Sequence, residues 1–195
     1  MSDSVKVNID VDFKFNLEED EYLSERNTIY NLLNNFSDVG GMTISRKTLK
    51  LIYRLRHMNP LPKFRDLTRL RITMSLNSSL ELLPIVLERC PNLKRLILKL
   101  DYNDYREAVA EATEINLSNV LSNSLVSSLE YVEIKSPTKE KPITTWRLVR
   151  YFLGNATLLK KLVLRLNVSD TREKHDPAYL KEFFDSERRS HLCQF

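Results

Sequence analysis

A short hydrophobic motif recurs four times along the chain and constrains the fold more than any other feature of the sequence. The motif has the form Leu-x-x-Leu-x-Leu, with isoleucine or valine at some positions. Its copies span residues 67–72, 93–98, 129–134 and 159–164, so that successive copies begin 26, 36 and 30 residues apart. Apolar side chains that alternate with polar ones are typical of a β-strand that buries one face. Each copy is therefore predicted to contain a strand.

Two weaker copies precede these four. Residues 39–44 read Val-x-x-Met-x-Ile, and residues 5–11 carry alternating valine and isoleucine. With one or both of the weaker copies as strands, the chain holds five or six units of the same kind.

The stretches between the motifs have the apolar spacing of amphipathic helices. The residues that share a helix face are Ile29, Leu32, Leu33 and Phe36; Leu49, Ile52 and Tyr53; Leu80, Leu83, Leu87 and Cys90; and Trp146, Val149, Phe152 and Leu153. Trp146 and Cys90 are expected in the core. Ser45 and Thr144 are predicted to be N-caps, and Gly154 is predicted to close the last helix.

A strand followed by a helix, repeated every few tens of residues, is the sequence signature of a leucine-rich-repeat solenoid. An ordinary α/β domain with a parallel sheet also alternates strands with helices, but the leucine spacing favours the solenoid. The predicted fold is α/β: an irregular leucine-rich-repeat solenoid of five to six strand–helix units with a mostly parallel, curved sheet.

The composition excludes several classes of chemistry. The 195 residues include three glycines, too few for a glycine-rich phosphate loop, and two cysteines, too few for a disulfide framework. The three histidines and two cysteines lack the spacing of a metal site or of a nucleophile with its base. No catalytic, cofactor-binding or metal-binding residue is predicted, and the expected location is intracellular, in the cytoplasm or nucleus.

Charge is distributed unevenly, although the net charge is only +4. Residues 46–71 contain nine basic side chains and one acidic side chain. Such a run is usually a solvated helix face, but it can also bind phosphates. Nucleic-acid or anionic-surface binding through 46–71 is thus an alternative function.

The strands of a solenoid present the residues between the leucines on the concave side of the sheet. The predicted concave residues that could bind a partner are Arg69, Arg71, Arg95, Ile97, Lys99, Tyr131, Glu133, Lys135, Lys161, Val163 and Arg165. The set is basic, so its members are expected to repel one another unless solvent or a partner relieves the repulsion. It is either a solvated sheet face or a binding site for an acidic or phosphorylated peptide.

The second half of the chain also carries linked motifs. Residues 127–135 read SSLEYVEIK, residues 148–155 read LVRYFLGN, and residues 158–164 read LLKKLVL. In this order they resemble the FBD domain of plant F-box/FBD/leucine-rich-repeat proteins. Residues 87–94 are similar to the repeat that precedes that domain, and residues 188–195 are similar to the family's ending.

The resemblance implies irregular repeats in 1–126 and an FBD domain in 127–195 that continues the same solenoid. In the family, an F-box docks the Skp-type adaptor of cullin ubiquitin ligases, but no F-box opening is evident here. A Skp-type adaptor is therefore not expected to bind directly, and no membrane is expected as a partner. Nucleic acid is not the first choice of partner. The implied role is a non-enzymatic protein-interaction module resembling the substrate-binding half of such receptors, or else a truncated gene product without independent function.

Overall fold

A single six-stranded sheet organises the protein. The computed structural model describes residues 5–11, 19–55, 61–75, 82–101, 126–136 and 142–166, together with residue 194. Its strands are β1 (Lys6–Ile9), β2 (Gly41–Ile44), β3 (Arg69–Ser75), β4 (Arg95–Asp101), β5 (Tyr131–Ser136) and β6 (Lys161–Leu166). Its helices are α1 (Glu19–Asn35), α2 (Arg46–Leu55), α3 (Leu82–Glu88) and α4 (Pro142–Asn155).

The strands lie side by side in chain order, from β1 to β6, and each is parallel to its neighbours. All six predicted strand segments are confirmed, and so is the α/β class. Sequential parallel order is what repeated strand–helix units produce, because each crossover returns the chain to the same end of the sheet.

The leucine motif explains the core. Its first leucine lies two residues before the strand and is buried, and its second and third apolar residues project from the strand to the same side. The buried set contributed by the four motifs is Leu67, Leu70 and Ile72; Leu93, Leu96 and Leu98; Leu129, Val132 and Ile134; and Leu159 and Leu162. Helix residues such as Leu49 and Phe152 complete the same cluster. One face of the sheet is therefore covered, and the other lies away from the core.

The residues just before the strands are also paired. Their backbone amides bond the carbonyl oxygen of the equivalent residue one unit earlier, at 2.8 to 3.1 Å, in the order Thr68 to Gly40, Lys94 to Thr68, Glu130 to Lys94 and Lys160 to Glu130. Side chains strengthen this stacking, since Asn92 Nδ2 donates to the carbonyl oxygen of Arg65 at 2.9 Å. The loops are thus held in the same register as the strands.

The end of the chain extends this stack by one step. The Gln194 amide donates to the carbonyl oxygen of Lys160 at 2.9 Å, and the Leu162 amide donates to the carbonyl oxygen of Gln194 at 3.1 Å. Gln194 therefore forms a parallel bridge with Lys161 at the outer edge of β6. His191 and Cys193 lie outside the described residues.

Helix ends agree with the sequence prediction in one case of three. Ser45 caps α2, since its Oγ accepts a bond from the Thr48 amide at 3.3 Å. Thr144 is not an N-cap, because α4 already begins at Pro142, whose missing N–H suits a first helical turn. Gly154 does not close α4, which continues to Asn155, and no described glycine has a positive φ. The Asn155 side chain bonds the Tyr151 carbonyl oxygen at 2.7 Å instead.

Two core predictions have different outcomes. Cys90 is buried as expected, although α3 ends at Glu88 and the cysteine follows the helix. Trp146 lies on α4 but is only half-buried, so it is not the core anchor that the sequence indicates. Phe152, which is fully buried on the same helix, takes that place. Leu80 lies outside the described residues.

Candidate functional site

The sheet face opposite the core, which we call the open face, carries three rows of side chains, and Asp101 follows these rows at the end of β4. Strand register defines the rows. The first row is Lys6, Gly41, Arg69, Arg95, Tyr131 and Lys161; the second is Asn8, Thr43, Arg71, Ile97, Glu133 and Val163; the third is Thr73, Lys99, Lys135 and Arg165. Every residue that the sequence predicts for a partner-binding surface lies on this face. That these residues bind a partner stays a prediction.

A buried carboxylate lies in the C-terminal half of the open face. The Glu133 side chain on β5 is only 9% exposed, and both of its oxygens are engaged. Arg165 Nε on β6 donates to Oε1 at 2.6 Å, and the Tyr131 hydroxyl donates to Oε2 at 3.1 Å. Lys135 Nζ lies 3.4 Å from Oε1. Since Arg165 and Lys135 both flank Glu133, their mutual repulsion is relieved within the protein.

This arrangement keeps Glu133 ionised. Burial by itself raises the pKa of a carboxyl group, but the hydrogen bonds from Arg165 and Tyr131 and the charge of Lys135 outweigh it. The pKa of Glu133 is consequently below its ordinary value. Burial and the adjacent carboxylate raise the pKa of Tyr131, so its hydroxyl remains a donor.

Tyr131 also holds a cation in the first row. The Arg95 guanidinium carbon lies 4.1 Å from the centre of the Tyr131 ring, within the range of a cation–π interaction. Because the Tyr131 hydroxyl is bonded to Glu133, the ring on which Arg95 stacks is fixed by a buried group.

The remaining cations of the face are distributed unevenly. Arg71, Lys99 and Lys161 are exposed, and none of them pairs with a carboxylate in the described part of the chain. The expected repulsive ladder is therefore only partly present. Glu133 provides counter-charge for Lys135 and Arg165, whereas Arg71 on β3 and Lys99 on β4 have no carboxylate partner among the described residues.

The sequence analysis did not include the β1 and β2 positions of the open face, namely Lys6, Asn8, Gly41 and Thr43. Gly41 is buried because the side chains of Lys6 and Arg69 lie next to it: a Cβ placed there would lie 3.2 Å from Lys6 Cγ and 3.9 Å from Arg69 Nε. The signal that could have found these positions is the register of the two weaker repeats, in which the same alternation places them between buried residues.

The basic segment 46–71 does not form one surface. Arg46, Lys47 and Lys50 belong to α2, whose buried residues pack in the core on the covered side of the sheet. Arg69 and Arg71 lie on the open face instead. The segment is continuous in sequence, but its cations are divided between α2 and the open face, and Arg46 at the start of α2 lies 3.6 Å from Asp101 at the end of β4.

The described residues contain no evident chemistry of catalysis. Burial raises the pKa of the Cys90 thiol to about 12, so the nucleophilic thiolate is absent near neutral pH. Within the described ranges, no group of three or more His, Cys, Asp or Glu side chains could hold a metal ion. Among the helices of those ranges, none has the length and apolar character needed to cross a membrane.

A sequential parallel sheet with one face packed by helices and the other left open is the organisation by which repeat proteins present a binding surface. Comparison with known proteins agrees with this class. Residues 122–164 match the FBD family. An F-box/FBD/LRR-repeat protein of Arabidopsis thaliana is 58% identical over 196 residues, covering 100% of this chain and 39% of the relative.

A second Arabidopsis thaliana relative, an FBD-associated F-box protein, is 48% identical over 194 residues, covering 100% of this chain and 42% of the relative. The chain thus spans about two fifths of the length of these relatives. No solved structure matches it. The resemblance inferred from the sequence motifs is confirmed: the chain carries a match to the FBD family, and its whole length is similar to plant F-box/FBD/leucine-rich-repeat proteins.

Proposed function

We propose that the chain is a non-enzymatic protein-interaction module whose open face binds a partner protein. It would correspond to the substrate-binding half of F-box/FBD/LRR ubiquitin-ligase receptors. The observation that carries the proposal is the open face itself, where exposed cations and two aliphatic residues, Ile97 and Val163, stand on a continuous, well-packed sheet. A rigid surface reduces the entropy lost on binding.

The proposed partner is acidic or phosphorylated. The exposed cations of β3 and β4 make the face electrostatically complementary to such a protein. We further propose that repeats in 1–126 and the FBD domain in 127–195 act as one unit, because β4 and β5 pair over five register positions. Direct binding of a Skp-type adaptor forms no part of this proposal.

The test replaces Arg69, Arg71 and Arg95 together by alanine. Partners captured from plant extract by the wild-type chain, and identified by quantitative mass spectrometry, should be lost. The melting temperature should not fall, because none of the three side chains contributes to the core. A matched control replaces three exposed cations of the covered side, Lys47, Arg147 and Arg150, and should retain the same partners.

Retention of the partners by the open-face variant would refute the proposal. A salt titration then separates protein binding from nucleic-acid binding through 46–71, since phosphate-backbone binding falls linearly with salt on a log–log plot. Recovery of a Skp-type adaptor that also binds the purified chain would contradict the view that an adaptor is not bound directly.

A further inference from the structure

We infer that the open face contains a binding subsite for a phosphoserine or phosphothreonine of the partner. The subsite is formed by β3 and β4 and is centred on Ile97 of β4. The inference deepens the proposed function and depends on it. The subsite consists of Arg71, Arg95 and Lys99, and Tyr131 acts as a positioning residue.

Strand register brings these three cations around one position. Arg71 lies directly across from Ile97, and Arg95 and Lys99 are the residues two places before and after Ile97 on β4. Arg71 is therefore a diagonal neighbour of both, at a separation of about 7–8 Å, which long side chains can bridge. Ile97 is half-buried in the middle and offers an aliphatic floor.

The charge balance favours a phosphate over a single carboxylate. Three cations are neighbours of this position by strand register, and the carboxylate directly across from Ile97 on β5, Glu133, is committed to Arg165, Tyr131 and Lys135. A phosphate monoester carries about −1.5 to −2 charges and three acceptor oxygens at neutral pH. It can therefore engage two guanidinium groups and an ammonium together, whereas one carboxylate offers only two oxygens and one charge.

One of the arginines is held in place before any ligand binds. Arg165 bonds Glu133, Glu133 accepts the Tyr131 hydroxyl, and the Tyr131 ring stacks against the Arg95 guanidinium. A guanidinium that stacks with its face on an aromatic ring keeps its in-plane N–H donors available for a phosphate. The buried carboxylate thus supports the subsite through a neighbouring ring rather than by contact with the ligand.

The experiment measures binding of the whole chain to three synthetic peptide pools by fluorescence anisotropy. The pools share degenerate flanks and differ only at a fixed central residue, which is phosphoserine, glutamate or serine. We expect the phosphoserine pool to bind at least about tenfold more tightly than the glutamate pool, because additional charge-assisted hydrogen bonds form. Arg71→Ala and Arg95→Ala should each lose about tenfold in affinity for that pool.

Further variants of Arg95 and Tyr131, with a matched control, test the roles of the guanidinium and of the ring that supports it. Arg95→Lys keeps the charge but not the planar fork, so it should recover only part of the affinity. Tyr131→Phe should weaken phosphoserine binding less than Tyr131→Leu, since phenylalanine keeps the ring that supports Arg95. Arg147→Ala, at an exposed position of α4, should leave binding unchanged, and melting temperatures show that each variant is folded.

Equal binding of the glutamate and phosphoserine pools would overturn the inference, as would an equal loss in Arg147→Ala. If the phosphoserine preference is absent while the triple open-face variant still loses its protein partners, the subsite fails and the proposed function stands. If the triple variant keeps its partners, the proposed function fails as well.

Discussion

Replacing Glu133 and Arg165 singly and together measures what the buried carboxylate contributes to the sheet. The variants are Glu133→Gln, Arg165→Met and the double replacement, which retain most of the side-chain volume. A double-mutant cycle then gives the coupling free energy between the two charges, separate from the effects of each change alone.

The expected coupling follows from the exposure of the two side chains, which is 9% for Glu133 and 65% for Arg165. Exposed ion pairs contribute about 0–1 kcal/mol, and breaking a fully buried pair costs about 3–5 kcal/mol. Only one partner is desolvated here, so we expect a coupling of about 1–2 kcal/mol.

The assay is urea unfolding, followed by circular dichroism and by the fluorescence of Trp146, which is the single tryptophan of the chain. Coincidence of the two transitions supports the two-state treatment that the cycle requires. The wild-type chain and the three variants should have similar m-values, since they bury similar surface.

A neighbouring pair provides the control. Lys160 Nζ also lies 2.6 Å from a β5-side carboxylate, Glu130, and the pair likewise connects the last two repeats. The Glu130 side chain is 31% exposed, so water and salt screen it more effectively than they screen Glu133. The Glu130–Lys160 coupling should be clearly smaller. Equal couplings would refute the argument that burial of the carboxylate determines the strength of the interaction.

Four further results are expected. In the folded protein the pKa of Glu133 is below its ordinary value of 4.5. The contribution of Glu133 to the free energy of unfolding is therefore complete above pH 4.5 and is lost as the pH falls through the folded pKa. The difference in melting temperature between wild type and Glu133→Gln should therefore narrow in acid; a widening would contradict this. Cys90 should stay unmodified by iodoacetamide at pH 8 until urea is added, as judged by peptide mass spectrometry, because its thiol is buried and its pKa is about 12. Phe152→Ala should lower the free energy of unfolding by about 3–5 kcal/mol, because it leaves a cavity in the core. A decrease below about 0.5 kcal/mol, which is typical of an exposed site, would disprove the core position of Phe152. Ser45→Ala should cost about 0.5–2 kcal/mol in the same urea assay, since the Thr48 amide loses its cap, whereas Ser45→Asp should cost less.

The strands could be predicted from the sequence because their information is local. An alternating pattern in which Leu70 and Ile72 point one way and Arg69 and Arg71 the other requires only that one face be buried. Repetition of the pattern then implies that the strands align with one another. The same argument located the open-face residues of β3 to β6 correctly.

The ends of the helices were harder to predict from the sequence, because they depend on the conformation of the loop that precedes each helix. Thr144 and Gly154 have the residue types of caps, but Pro142 can occupy the first helical turn and Asn155 can bond a terminal carbonyl oxygen. Residue type alone cannot choose between such alternatives. Trp146 shows the same limit, since a helical stripe does not say which of its members lies deepest.

The sequence by itself determined the α/β repeat architecture, the continuous leucine core and the resemblance to the FBD family. These depend on periodicity and on motifs, which are properties of neighbouring residues. Only the tertiary structure decided which charges on the open face are compensated. Glu133 and Arg165 are 32 residues apart, and they meet because β5 and β6 pair in one particular register. The pairing divides a face that looks uniformly basic in sequence into a half where Glu133 offsets part of the positive charge and a half where the exposed Arg71 and Lys99 have no carboxylate partner among the described residues, because charges are paired according to distance in space.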